Sequence, residues 1–184
     1  MINLSHMSMH ILPTASLLHG SFQPQHYVDA FAADFQETQH KVGPREVAVA
    51  FFRSGPRWVG GLMGVRNAVV RLFGLKTSGG ARDPEAALAA FQCVPGERIG
   101  IFTVLAVGPQ EVVLGEDDRH LDFRVSLWLG EPMTPRSGAR SLTISTVVRF
   151  HNRWGKLYFM PVKPFHRRIV RVMLWRTVRD LARP

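Results

Sequence analysis

The chain has 184 residues, 46% of them hydrophobic and 20% charged, which fits one globular domain with a sizeable core and excludes a disordered tract. Its single cysteine, Cys93, excludes an internal disulfide and points to a reducing cytoplasm. The formal charge is +9, yet no signal-peptide pattern opens the chain, and the longest apolar stretch, Trp58 to Leu75, carries Arg66 and Arg71 and makes a poor membrane span.

Residues 1–15 read as a loose leader without periodicity, and residues 16–184 as a single domain. Ser16 to Phe22 reads as a short extended piece. Tyr27 to Glu37 places Tyr27, Phe31 and Phe35 at i, i+4 and i+8, which predicts an amphipathic helix. After Gly43-Pro44, the apolar run Glu46 to Phe52 predicts a strand. Arg57 to Gly74 predicts a second helix, with Trp58, Leu62, Val65, Val69 and Leu72 in one stripe. Its Gly60-Gly61 pair lacks the spacing and the Lys-Ser/Thr of a phosphate loop. Pro84 to Phe91 is a short helical or irregular segment.

Four strands then follow in quick succession: Arg98 to Val107, Glu111 to Gly115, Leu121 to Leu129 and Leu142 to Phe150. Their short connections argue for an antiparallel meander. His151 to Lys156 reads as a turn with Gly155 at a positive-φ position, and Leu157 to Met160 as a resumed apolar strand. Pro161 and Pro164 end the extended segment, with Pro164 in the first turn of a helix that takes over at Phe165.

On a helical wheel that last segment puts Ile169, Val170, Met173, Leu174 and Leu181 on one side, with His166 and Thr177 among them. Arg167, Arg168, Arg171 and Arg179 take the other side. Such a helix lays its apolar side on the preceding strands. Its arginines form a solvated outer face, or a face for an anionic membrane or nucleic acid.

Several residue blocks together resemble the bacterial domain-of-unknown-function family DUF2867. They are Pro56-Arg-Trp-Val59 with Leu62 and Arg66-Asn67, Leu72 to Lys76, Gly100 and Phe102, and Leu114 to Arg124. Ser145 to Val148, His151-Asn152, Gly155, Tyr158-Phe159 and Val162 to His166 complete them. The resemblance covers roughly residues 25 to 180. It implies an α+β fold of the START-like, polyketide-cyclase-like (SRPBCC) helix-grip kind: a curved antiparallel sheet wrapped around a long C-terminal helix, with two smaller helices and a cavity between sheet and helix.

Candidate site residues follow from the polar groups on apolar faces. Asp118 to Arg124 is the densest polar constellation, with His120, Asp122 and Arg124 projecting to one side of a strand. A carboxylate beside a histidine orients it for proton transfer; the plainer reading is an ion-pair ladder on the sheet's outer face. His166 is the better cavity candidate, the plainer reading being a satisfied core histidine. Arg66 and Asn67 are candidates for an anionic ligand head, or a structural polar contact. His151 reads as an exposed turn residue. His120, His151 and His166 have no zinc-site spacing, so neither metal nor cofactor is expected. The leading expectation is a module holding a small hydrophobic or lipid-like ligand, met by His166, Arg124, Asp122, Arg66, Met173 and Thr177. The alternative is a cyclase- or hydrolase-like enzyme using His166, or His120 with Asp122. A further alternative is peripheral attachment to an anionic surface through Arg167, Arg168 and Arg171.

Overall fold

The computed structural model describes residues 12–37, 42–55, 84–132 and 138–183. The expected helix Arg57 to Gly74, with Arg66 and Asn67, lies outside them. Six strands form one sheet: β1 (Tyr27–Gln36), β2 (Arg98–Ile99), β3 (Phe102–Val107), β4 (Glu111–Asp117), β5 (Leu121–Leu129) and β6 (Ala139–Phe150). Their spatial order is β1-β6-β5-β4-β3-β2, every neighbour antiparallel, so the meander β2 to β6 is closed by the first strand pairing with the last. Among the described residues three α-helices accompany it: α1 (Pro44–Arg53), α2 (Pro84–Ala90) and the 29-residue α3 (Arg153–Leu181). The layout is α+β.

Tyr27 to Gln36 is a strand, not the expected helix. Residues four apart share a face in either conformation, so Tyr27, Phe31 and Phe35 satisfy both periods. The intervening Asp29 and Ala33 lie on that same face only in a strand. The expected strand Glu46 to Phe52 is instead α1, with Pro44 in its first turn and Glu46 Oε2 accepting from the Gly43 N–H at 3.1 Å. Its small Ala48 and Ala50 suit a helix, and Val47, Ala48 and Phe51 are buried. Ser16 to Phe22 is not extended; Leu17–Gly20 forms a 3-10 turn.

The sheet is covered on both faces. On the inner face Phe31, Phe35, Leu114, Val125, Leu127 and Ile144 pack with α1 and with Val170, Leu174 and Val178 of α3. On the outer face Leu12, Leu18 and Phe22 cover Val113 and Val147. This explains why β6 is buried along both faces although Thr143 and Ser145 stand on the outer one.

The corner between β6 and α3 departs most from expectation. The helix starts at Arg153, so Leu157 to Met160 is helical, and Pro161 and Pro164 lie inside it. Both prolines are exposed, as are Leu157 and Met160, whose carbonyls would otherwise accept from the missing N–H groups. Water can take those carbonyls, which makes the prolines tolerable there. Asn152 caps the helix, its side chain accepting from the Gly155 N–H at 3.0 Å. Gly155 has no positive φ. It is needed for space: a Cβ there would stand 2.1 Å from the His120 carbonyl oxygen.

Gly155→Ala is therefore expected to destabilise the fold by about 1–3 kcal/mol, as overpacking against rigid backbone does. Chemical denaturation measures it. An unchanged midpoint would contradict the close approach.

Candidate functional site

Two polar clusters stand on opposite faces of the sheet. The inner one begins on β1, where alternation directs Tyr27 and Asp29 toward α3 alongside Phe31. Asp29 is 1% exposed and faces Thr146 across the β1–β6 ladder. His166, near the middle of α3, brings Nε2 to 3.4 Å from Asp29 Oδ2, with 19% of its side chain accessible. The Tyr27 hydroxyl donates to Asp29 and accepts from Arg167 Nε at 3.3 Å. Phe159 packs edge-on to the Tyr27 ring, centroids 4.8 Å apart.

Burial alone would raise the Asp29 carboxyl. The hydrogen bond and charge of His166, with the Tyr27 hydroxyl, outweigh it and hold Asp29 below its ordinary 3.8. Burial, followed by the bond to Asp29, pushes Tyr27 up to about 12, so the phenol stays a neutral donor. The cluster is thus an ionised, buried carboxylate orienting a partly accessible imidazole.

The outer cluster contains the residues singled out between Asp118 and Arg124. Asp122 is buried, with His151 Nε2 at 2.8 Å and Arg149 Nη2 at 2.6 Å. Burial opposes ionisation here too, but His151 and Arg149 keep the carboxyl below 3.8. Arg124 pairs with Asp117 at 2.7 Å, and the Arg124 and Arg149 guanidiniums lie 4.6 and 4.8 Å from the Phe22 ring centroid. His120 is not part of that strand face: it sits in the preceding turn, 2.9 Å from Asn152 Nδ2. Farther along, Glu111 is 2% exposed and accepts from the Ser16 hydroxyl at 2.6 Å, the Leu17 N–H at 2.8 Å and the Ser126 hydroxyl. This face holds the N-terminal segment and the α3 corner to the sheet.

The structure therefore brings His166 to Asp29 and separates it from Asp122, Arg124 and His120, so these expected ligand contacts do not converge. Thr177 and Met173 do lie on the sheet side of α3. Thr177 is buried but spends its hydroxyl on the Met173 carbonyl at 2.8 Å, and Met173 packs partly buried against the core. Of the arginine face, Arg167 is taken by Tyr27 and Arg171 lies 5.1 Å over the Phe31 ring, while Arg168 is exposed. Burial pushes the Cys93 thiol up to about 11, Glu97 adding to it, so Cys93 is no thiolate at neutral pH.

Sequence reasoning missed Tyr27, Asp29, Glu111, Arg149 and the engagement of His151. The signal for Asp29 is a carboxylate between Tyr27 and Phe31 at strand spacing, which the four-residue spacing of the aromatic rings conceals. Among the described residues no group of three or more His, Cys, Asp or Glu could hold a metal ion, and no helix is long and apolar enough to cross a membrane. Two open clefts lie away from His166. One, of about 310 Å³, is lined by Arg45, Val49, Arg53, Leu88 and Asp180; the other, of about 360 Å³, by Leu17, Pro109, Glu111 and Trp128.

Compared with known families, residues 21–173 match the model described as "Protein of unknown function (DUF2867)". The chain belongs to this family. Neither a curated protein nor a solved structure matches it.

Both depressed carboxyls make stability depend on acid. The unfolded chain takes up these protons at higher pH than the folded one, so the stabilisation is complete above about pH 5 and drains away as pH falls through the depressed values. Asp29→Asn is expected to lower stability at neutral pH and to flatten its decline below 3.8. Circular-dichroism melts across that range measure it, and an equally steep decline would exclude Asp29 as a contributor.

Proposed function

We propose that this DUF2867 protein binds a small, largely apolar molecule between the inner face of the sheet and α3, with the polar end of the molecule on His166. The observation that carries the reading is the Asp29–His166 pair. A buried carboxylate is set into an apolar face, and it orients an imidazole that keeps part of its surface accessible. With Nε2–H directed at Asp29, the neutral ring leaves Nδ1 as an acceptor for a ligand hydroxyl or N–H. Met173, Phe102 and Phe123, partly buried on the same inner face, would supply apolar contacts.

The order of elements supports a START-like helix-grip reading: first strand, small helices, meander, then a long last helix laid on the sheet, with the first strand paired to the last. The fold analogy carries the cavity, and the site chemistry carries the ligand end. A proton-transfer enzyme in the same place is the second reading. The observation favouring it is again Asp29 beneath His166, a carboxylate partner outside the expected His120–Asp122 pairing.

Native mass spectrometry of freshly purified protein, followed by titration with the fluorescent apolar acid anilinonaphthalene sulfonate, tests the proposal. His166→Ala and Met173→Trp are each expected to weaken binding about tenfold, equivalent to about 1.4 kcal/mol. Equal binding by wild type and both variants would refute the site. Turnover of a captured molecule that disappears in His166→Ala would favour the enzyme.

A further inference from the structure

The first half of α3 presents large apolar side chains away from the sheet. Its buried residues there are Gly155 and Phe159. Trp154, Leu157, Met160 and Phe165 are instead 59%, 54%, 64% and 53% exposed. At 100° per residue these four fall within about 140° of arc, and the exposed Pro161 and Pro164 fall within it too. The helix is therefore apolar on two opposed sides: one is used by the core, and the other forms a ridge over three turns.

Charge selects what the ridge meets. Between Arg153 and Arg179 the helix carries eight Lys and Arg residues and no Asp or Glu, Asp180 being its first acid. Arg153 and Arg168 lie along the ridge, Lys156 beside it, and all three are exposed. A second copy of the chain would bring two such cationic helices together. A nucleic acid would satisfy the cations and could stack on rings, but offers nothing to Leu157, Met160 and the prolines. An anionic bilayer surface satisfies both: acyl chains and glycerol backbones take the ridge, and headgroup phosphates take the cations.

We infer that the N-terminal half of α3 is a docking surface for anionic lipid, lying in the plane of the interface with Leu157, Met160 and Phe165 inserted and Arg153, Lys156 and Arg168 on headgroups. The helix does not cross the bilayer. Its opposite side stays on the sheet, so docking needs no unfolding, and His166 remains on the core side.

The test is co-sedimentation of the full chain with vesicles of pure phosphatidylcholine and of equimolar phosphatidylcholine and phosphatidylglycerol. Binding is expected on the anionic vesicles only. The triple variant Leu157→Gln, Met160→Gln, Phe165→Gln should lose on the order of tenfold or more in partitioning. Each of Arg153→Gln, Lys156→Gln and Arg168→Gln should lose roughly fivefold. All six sites are exposed, and unchanged circular dichroism and melting temperature verify that the variants fold. No binding to either vesicle, or binding indifferent to the triple variant, overturns the inference. So does duplex DNA that displaces the protein from vesicles while binding the triple variant as tightly as wild type. Sedimentation showing a dimer that the triple variant abolishes would assign the ridge to self-association and equally overturn it.

Discussion

The arrangement depends on one corner. After Phe150 the chain leaves the sheet, and by Arg153 it is already helical. A turn this short works because three local needs are met together. Asn152 supplies the cap, the His151 N–H donates to the His120 carbonyl, and Gly155 lets helix backbone rest on that same carbonyl. With the start fixed in position and direction, α3 crosses β1 and β6 so that His166 comes to rest over Asp29. The rotation that buries Phe159 also determines that Leu157 and Met160 face outward. Position in a rigid helix follows from its first turn.

The sheet divides its polar chemistry by face. Inward, the buried charges are Asp29 with its partners and, at the far end of the β1–β6 ladder, Arg140 with Glu37, set in an otherwise apolar layer. Outward, Asp122, Arg124, Arg149 and Glu111 form a polar lattice whose spaces are filled by Phe22, Leu18 and Leu12. Each buried carboxylate has donors aimed at it, which is the condition under which burying one is tolerable. The outer lattice holds segments together. Both carboxylate–imidazole pairs keep a partly accessible ring, and what marks the inner pair as the candidate site is its setting beside Tyr27 and Phe159 on the apolar face under α3.

The meander was legible because β3 to β6 alternate cleanly or run apolar between Gly, Pro and acidic turns; β5 spans Leu121–Leu129 as its pattern indicates. The long terminal helix and its inward residues, His166 and Thr177 included, were legible from the 3.6 period. Tyr27 to Gln36 was not, because spacing of four belongs to both periods. Nor was α1, where Val and Phe in alternation with Ala outweighed the helix propensity of Ala and the cap at Gly43. Pro161 and Pro164 argued for a late helix start, and only the exposure of that helix side, a tertiary fact, reconciles them with a helix. Asp29 and His166 lie far apart along the chain, and no local pattern announces such a meeting.

Pairing of the first strand with the last also sets a schedule for folding. Tyr27 finds its ladder partner in Val148, and Asp29 finds His166, so neither has a native neighbour until nearly the whole chain is available. During synthesis β1 must wait, carrying Tyr27, Phe31 and Phe35 uncovered, while β3, β4 and β5 can pair locally as they emerge. The candidate site is thus the last part of the molecule to come into being, and a truncated or stalled chain would hold most of a sheet and none of the site.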